Sequence, residues 1–154
     1  MVPRLVVSPL RAAFLALALV AANVFWQYAS APSGLLLSPV VAMMACYLVL
    51  HKASPWHPYP KAGLCAGLLV LQDVGIKLYG GGDHDLEGQG IVNVLFIIGA
   101  LLSLVLLIMA LRRDGTHATR HKVGAIGLFL AVLLGHLLVF SRLGMGRYVG
   151  IYVE

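Results

Sequence analysis

Charge is scarce in this chain. Eleven basic and six acidic residues make up 11% of 154 positions, whereas 60% are apolar and the mean hydropathy is +0.93. An ordinary soluble domain is about a quarter charged, and a soluble fold of this size still exposes roughly a third of its chain surface. It could not hide so much apolar side chain. The composition therefore indicates an integral membrane protein. It excludes a secreted disulfide scaffold, a disordered tail and a nucleic-acid-binding domain. Cysteine is scarcer still, with two residues. Cys46 and Cys65 both fall inside apolar runs. They make neither a disulfide framework nor a CxxC metal site, and are expected to pack as small hydrophobes. A P-loop, a G-x-S-x-G elbow and a zincin H-E-x-x-H are all missing, as is any internal repeat.

A membrane-spanning helix needs about 20 mostly apolar residues, and five segments qualify, at about 12–30, 34–51, 62–79, 91–111 and 123–141. None shows the alternation of a barrel strand. Backbone groups in lipid must bond internally, so the expected fold is all-α: a single-domain polytopic bundle of five transmembrane helices. The third segment is the weakest, because Gln72, Asp73 and Lys77 interrupt it. Charge argues that it spans. With five spans and the N-terminus inside, Arg4, Arg11, Lys52, Lys61, Arg112, Arg113, Arg120 and Lys122 are all cytoplasmic, and only Arg142 and Arg147 lie outside. Dropping the third span would move the basic loop 112–122 outside, against the positive-inside rule. The reading is N-terminus in and C-terminus out, with the acidic loop 80–90 outward, in a bacterial inner membrane. Arg4, Arg11 and the sequence Ala29-Ser30-Ala31 also suggest a cleavable signal peptide, but the apolar stretch is long for one.

Trp26, Tyr28, Trp56, Tyr59 and Tyr79 fall at predicted helix ends, as an interfacial aromatic belt does. Small residues four apart let helix backbones approach closely. Gly127, Ala131 and Gly135 in the fifth span, Gly63 and Gly67 in the third and Ala18 and Ala22 in the first are accordingly expected to pack inside the bundle, with a partner seam as the alternative. Asp83 to Gly88 resembles the opening of an EF-hand calcium loop. Its fifth position is Glu87 and its twelfth is Val94, so no bidentate ligand closes it and a solvated acidic turn is expected. His117 and His121 would share a face if helical, but no third ligand accompanies them in sequence. No metal or cofactor is expected, and the basic loop is expected to meet anionic headgroups.

The polar residues inside spans carry the functional argument, because charged groups there are costly and usually face the bundle interior. At a rise of about 1.5 Å per residue, Asn23 and Asp73 lie roughly 16 Å from the cytoplasmic ends of their helices, Gln27 and Lys77 roughly 22 Å, and His136 roughly 20 Å. Each of the pairs Asn23/Gln27 and Asp73/Lys77 is spaced i, i+4 and shares one face. Three helices thus place polar groups at matching depth, and Asn93 lies near enough in depth to cap them. Asp73 is the only carboxyl group predicted within a span, with Lys77, His136 or Asn23 as its expected partner. The first functional expectation is a non-enzymatic accessory or assembly partner with a membrane-protein partner or a second copy of itself, its glycine-rich tail 143–154 free outside. The alternative is a proton- or ion-linked carrier with an outward-facing site at Asp73 and His136. A third is a membrane enzyme using Asp73, His84, Asp85 and His136 at the outer face.

Overall fold

The computed structural model describes residues 9–52, 56–79, 82–83, 86–145 and 148–149. Five helices are long and apolar enough to cross a membrane: α1 (Pro9–Ala29), α2 (Ser33–Lys52), α3 (Pro58–Tyr79), α4 (Leu86–Arg113) and α5 (Thr119–Phe140). The third segment is one continuous helix of 22 residues despite its polar insertions. Short connections make sequential helices neighbours, and α2 lies between α1 and α4. Helix α3 touches all four others. It is accordingly the most buried of the five, with half of its apolar window covered against 22% for α1 and α5. The helix that carries Gln72, Asp73 and Lys77 is thus the hub of the bundle. This removes its charges from lipid.

The core runs along α3 and its neighbours through Val20, Val49, Leu69, Leu107, Phe129 and Leu133. Cys46 and Cys65 are both free and buried there, the Cys46 thiol facing the Cys65 carbonyl at 3.9 Å. Pro39 lies inside α2, where it removes one helical donor. On either side of it, Ser38 Oγ donates to Gly34 O at 3.1 Å, and Gln72 Nε2 of α3 donates to Ser38 O at 3.1 Å, which ties α3 to α2. Gly34 is required by a close approach. A Cβ at this position would sit 2.6 Å from the Gln27 backbone.

Three expectations are corrected. The small-residue stripes do not seat the helices: Ala18, Ala22, Gly67, Gly127, Ala131 and Gly135 are all exposed, Gly63 is only half-buried, and a Cβ at Gly67, Gly127 or Gly135 would meet nothing within 4 Å. Helix α5 turns Ala125, Phe129, Leu133 and His136 inward instead, because His136 and the bulky Phe129 gain more from burial than glycine does. Helix α4 begins at Leu86 rather than near residue 91, so Leu86–Gly90 is helical and the resemblance to a calcium loop ends there. Nor is all of the C-terminal tail free. Tyr148–Val149 pairs antiparallel with Gly82–Asp83, Gly82 opposite Val149 and Asp83 opposite Tyr148. Gly144 prepares this return with a φ of +81° and packs on the Lys77 carbonyl, a position where any side chain would be strained. His84 and Asp85 lie outside the described residues.

Candidate functional site

Asp73 and Lys77 occupy one face of α3, a turn apart, and α5 brings His136 against them. Lys77 Nζ and His136 Nε2 each lie 2.6 Å from the same oxygen, Asp73 Oδ2. The three side chains are 1%, 0% and 2% exposed for Asp73, Lys77 and His136. Lys77 is the largest fully buried side chain among the described residues. Its ammonium has three donors and three acceptors: Asp73 Oδ2, Asn93 Oδ1 at 2.9 Å and the Phe140 carbonyl at 3.1 Å. No donor is left over for a ligand. The acceptor role of the carboxylate assigns the Nε2 hydrogen of His136. Phe96 and Phe140 flank the imidazole, with ring centroids 5.2 and 5.4 Å away.

The Phe140 carbonyl ends α5, where the last turn leaves orphan acceptors. In a membrane these need protein donors, and α4 supplies them. Asn93 Nδ2 donates to Ser141 O at 3.0 Å. Gln89 Nε2 donates to Ser141 O at 2.9 Å and to Leu143 O at 3.2 Å. A cation beside a helix C-terminus is also favoured by the macrodipole. The polar set at this end is therefore a buried cap for α5 built from α3 and α4. Gln89 escapes the sequence reading because the 80–90 stretch reads as a loop. Once α4 is extended, its i, i+4 spacing from Asn93 places both amides on one face.

Asn23 and Gln27 do not join the triad. Both are buried, but Gln27 Oε1 accepts from the Leu35 backbone N–H at 2.6 Å and so caps the first turn of α2. No hydrogen bond links either residue to Asp73 among the described residues. Asp73 Oδ1, Gln72 Oε1 and His136 Nδ1 have no hydrogen-bond partner among the described residues. A cavity of about 20 Å³ lies between α2, α3 and α4, lined by Asp73, Gln72, Ser38 and Phe96 among others. That is the volume of one water molecule, too small for a solute or a hydrated ion.

At the opposite, basic end, His117 precedes α5 and His121 lies in its first turn. Their rings meet a third imidazole, His57, at centroid distances of 4.9 and 5.0 Å, with Tyr59 stacked on His57 at 5.3 Å. Partial desolvation by these rings, then the neighbouring His117 and His121, holds the His57 imidazole below its ordinary value of 6.5, with Asp114 opposing. Asp114 accepts from the Thr116 hydroxyl at 2.6 Å and backbone N–H at 2.9 Å, and its other oxygen meets His117 at 2.8 Å. The Thr116 hydroxyl is the main cause of a carboxyl held well below the usual range. No group of three or more His, Cys, Asp or Glu among the described residues is arranged to hold a metal ion.

No protein-family model, curated protein or solved structure matches this chain.

Proposed function

We propose that this chain is a non-enzymatic accessory or assembly protein of the bacterial inner membrane, a single membrane domain with its N-terminus in the cytoplasm and its C-terminus outside. The observation that carries this reading is the completeness of Lys77. All three of its donors are used within the protein, and the cavity that Asp73 lines has a volume of about 20 Å³. A carrier needs a site that a solute can reach and leave. The Asp73–Lys77–His136 knot instead ties α3 to α5 and caps a helix end. The orientation is supported by charge: Arg11, Lys61, Arg112, Arg113, Arg120 and Lys122 lie at or beside helix ends that meet on one side, and Arg142 at the other, as the positive-inside rule prescribes. The least buried helices, α1 and α5, offer apolar outward faces to a partner.

Two measurements test the proposal together. In proteoliposomes subjected to pH jumps, the reading predicts no proton-coupled current. A current abolished by Asp73→Asn would make the chain a carrier. A photo-crosslinking residue at Ala131, exposed on α5, should capture one defined membrane protein or a second copy in intact cells. Capture of lipid alone would contradict the accessory role.

A further inference from the structure

The cavity of about 20 Å³ between α2, α3 and α4 collects hydrogen-bond acceptors. Asp73 and Gln72, neighbours on α3, both line it and are each 3% exposed. Asp73 Oδ2 already holds Lys77 and His136, whereas Oδ1 has no hydrogen-bond partner among the described residues. Gln72 turns Nε2 to the Ser38 carbonyl at 3.1 Å. A carbonyl can only accept, so the amide cannot flip, and Gln72 Oε1 is left as bare as Asp73 Oδ1. The backbone of α2 adds a third acceptor. Pro39 has no N–H to give the carbonyl four residues earlier, and that residue, Leu35, lies in the same wall. Ser38 Oγ, also in the wall, gives its hydrogen to Gly34 O and can otherwise only accept.

A buried acceptor without a donor is costly, and inside a bilayer an ordered water is one of the few sources of one. The cavity has the volume of one water molecule. A bare cation of that size would also meet oxygens. But Lys77 already balances the Asp73 charge, and His136 can only add to the positive side, so a cation would leave a net charge within the spans, where charge is expensive. Water adds none.

We propose that this cavity holds a single structural water, which donates one hydrogen to Asp73 Oδ1 and the other to Gln72 Oε1, beside the Pro39 break in α2. The water joins α2 to the Asp73 knot and completes the carboxylate. This goes beyond the accessory role, because it concerns the inside of the bundle whatever its partner.

The test is a crystal structure of the full-length protein grown in lipid, at a resolution that shows ordered water, paired with unfolding in mixed micelles. The parent should show one density peak within about 3.2 Å of both Asp73 Oδ1 and Gln72 Oε1. Val92 lines the cavity and is 6% exposed, and Val92→Ile adds one methylene there with charge unchanged. The peak should then vanish, and the folding equilibrium constant should fall about tenfold because two acceptors lose their donor. In Gln72→Met one of those acceptors is already gone, so adding Val92→Ile should cost less, about threefold. A parent map without the peak would overturn the proposal. So would a gain in stability on Val92→Ile, the mark of a dry void that benefits from filling, or an equal loss in both backgrounds, the mark of overpacking. Stability that rises with sodium chloride but not with potassium chloride, an effect lost in Val92→Ile, would assign the site to a bare cation instead.

Discussion

Replacing Asp73 by Asn keeps the side-chain shape and removes the charge shared by Lys77 and His136. Both partners lie 2.6 Å from one carboxylate oxygen, and all three side chains are at most 2% exposed. Removing one partner of a buried ion pair costs about 3–5 kcal/mol, because the other charge is left uncompensated. Two features put this case near the lower end. Lys77 keeps Asn93 and the Phe140 carbonyl, and the Asn oxygen still accepts one bond. The expected loss is therefore about 3 kcal/mol. Lys77→Met should cost a similar amount, since it also strips a donor from the end of α5. The double variant Asp73→Asn/Lys77→Met should cost less than the sum, with a coupling of about 2 kcal/mol, because no lone charge remains. Reversible unfolding by sodium dodecyl sulfate in mixed micelles, followed by circular dichroism, measures all three. An Asp73→Asn variant within about 0.5 kcal/mol of the parent, or a cycle that is additive, would refute the account of the knot.

Three further outcomes are expected. Single cysteines at Arg113 and Gly82, in a background lacking Cys46 and Cys65, should label from opposite faces of the membrane, as should the pair at Lys52 and Gly82; labelling of either pair from one face would remove α4 or α3 from the set of spans. Gly34→Ala should lower stability by about 1–2 kcal/mol, since overpacking against the Gln27 backbone exceeds the gain in helix propensity, while Ala131→Leu on the exposed face of α5 should stay within about 0.5 kcal/mol of the parent; the same unfolding assay distinguishes the reverse order. Because the Asp114 carboxyl is held below its ordinary value of 3.8, its contribution is fully present above that pH and is lost as pH falls further toward the lowered native value. Thr116→Val should flatten the decline in melting temperature between about pH 4 and pH 2, and an unchanged slope would contradict the assignment.

Much of this architecture was legible in the chain because membrane helices are announced by run length, and depth along a helix follows from counting residues. That reasoning brought Asp73, Lys77, His136 and Asn93 to one level. Azimuth was less legible. Asn23 and Gln27 stand at similar depth, but Gln27 turns toward α2, where its Oε1 accepts from the backbone N–H of Leu35, and Asn23 has no bond to the triad among the described residues. Helices that are apolar all round offer no periodicity from which to choose the inward face, so the spacing of Gly127, Ala131 and Gly135 pointed the wrong way. The acceptors at the end of α5 are backbone carbonyls, which leave no mark in a sequence. The early start of α4 through Leu86–Gly90 runs against the low helix propensity of glycine, and Gln89 bonding to Ser141 and Leu143 supplies the tertiary contact that overrides it. The His57, His117 and His121 cluster needed two loops to converge, which spacing within one loop could not reveal.

The central claim is that Asp73, Lys77 and His136 form a structural knot closed to bulk water rather than a solute site. Its most direct test is water-edited solid-state NMR on the histidine-labelled protein in lipid bilayers, with His57 at the basic end as the internal reference. The account predicts that polarisation from water reaches the His57 ring quickly and the His136 ring only slowly, through protein protons. A His136 ring polarised as fast as that of His57 would show bulk water at the triad and contradict the account.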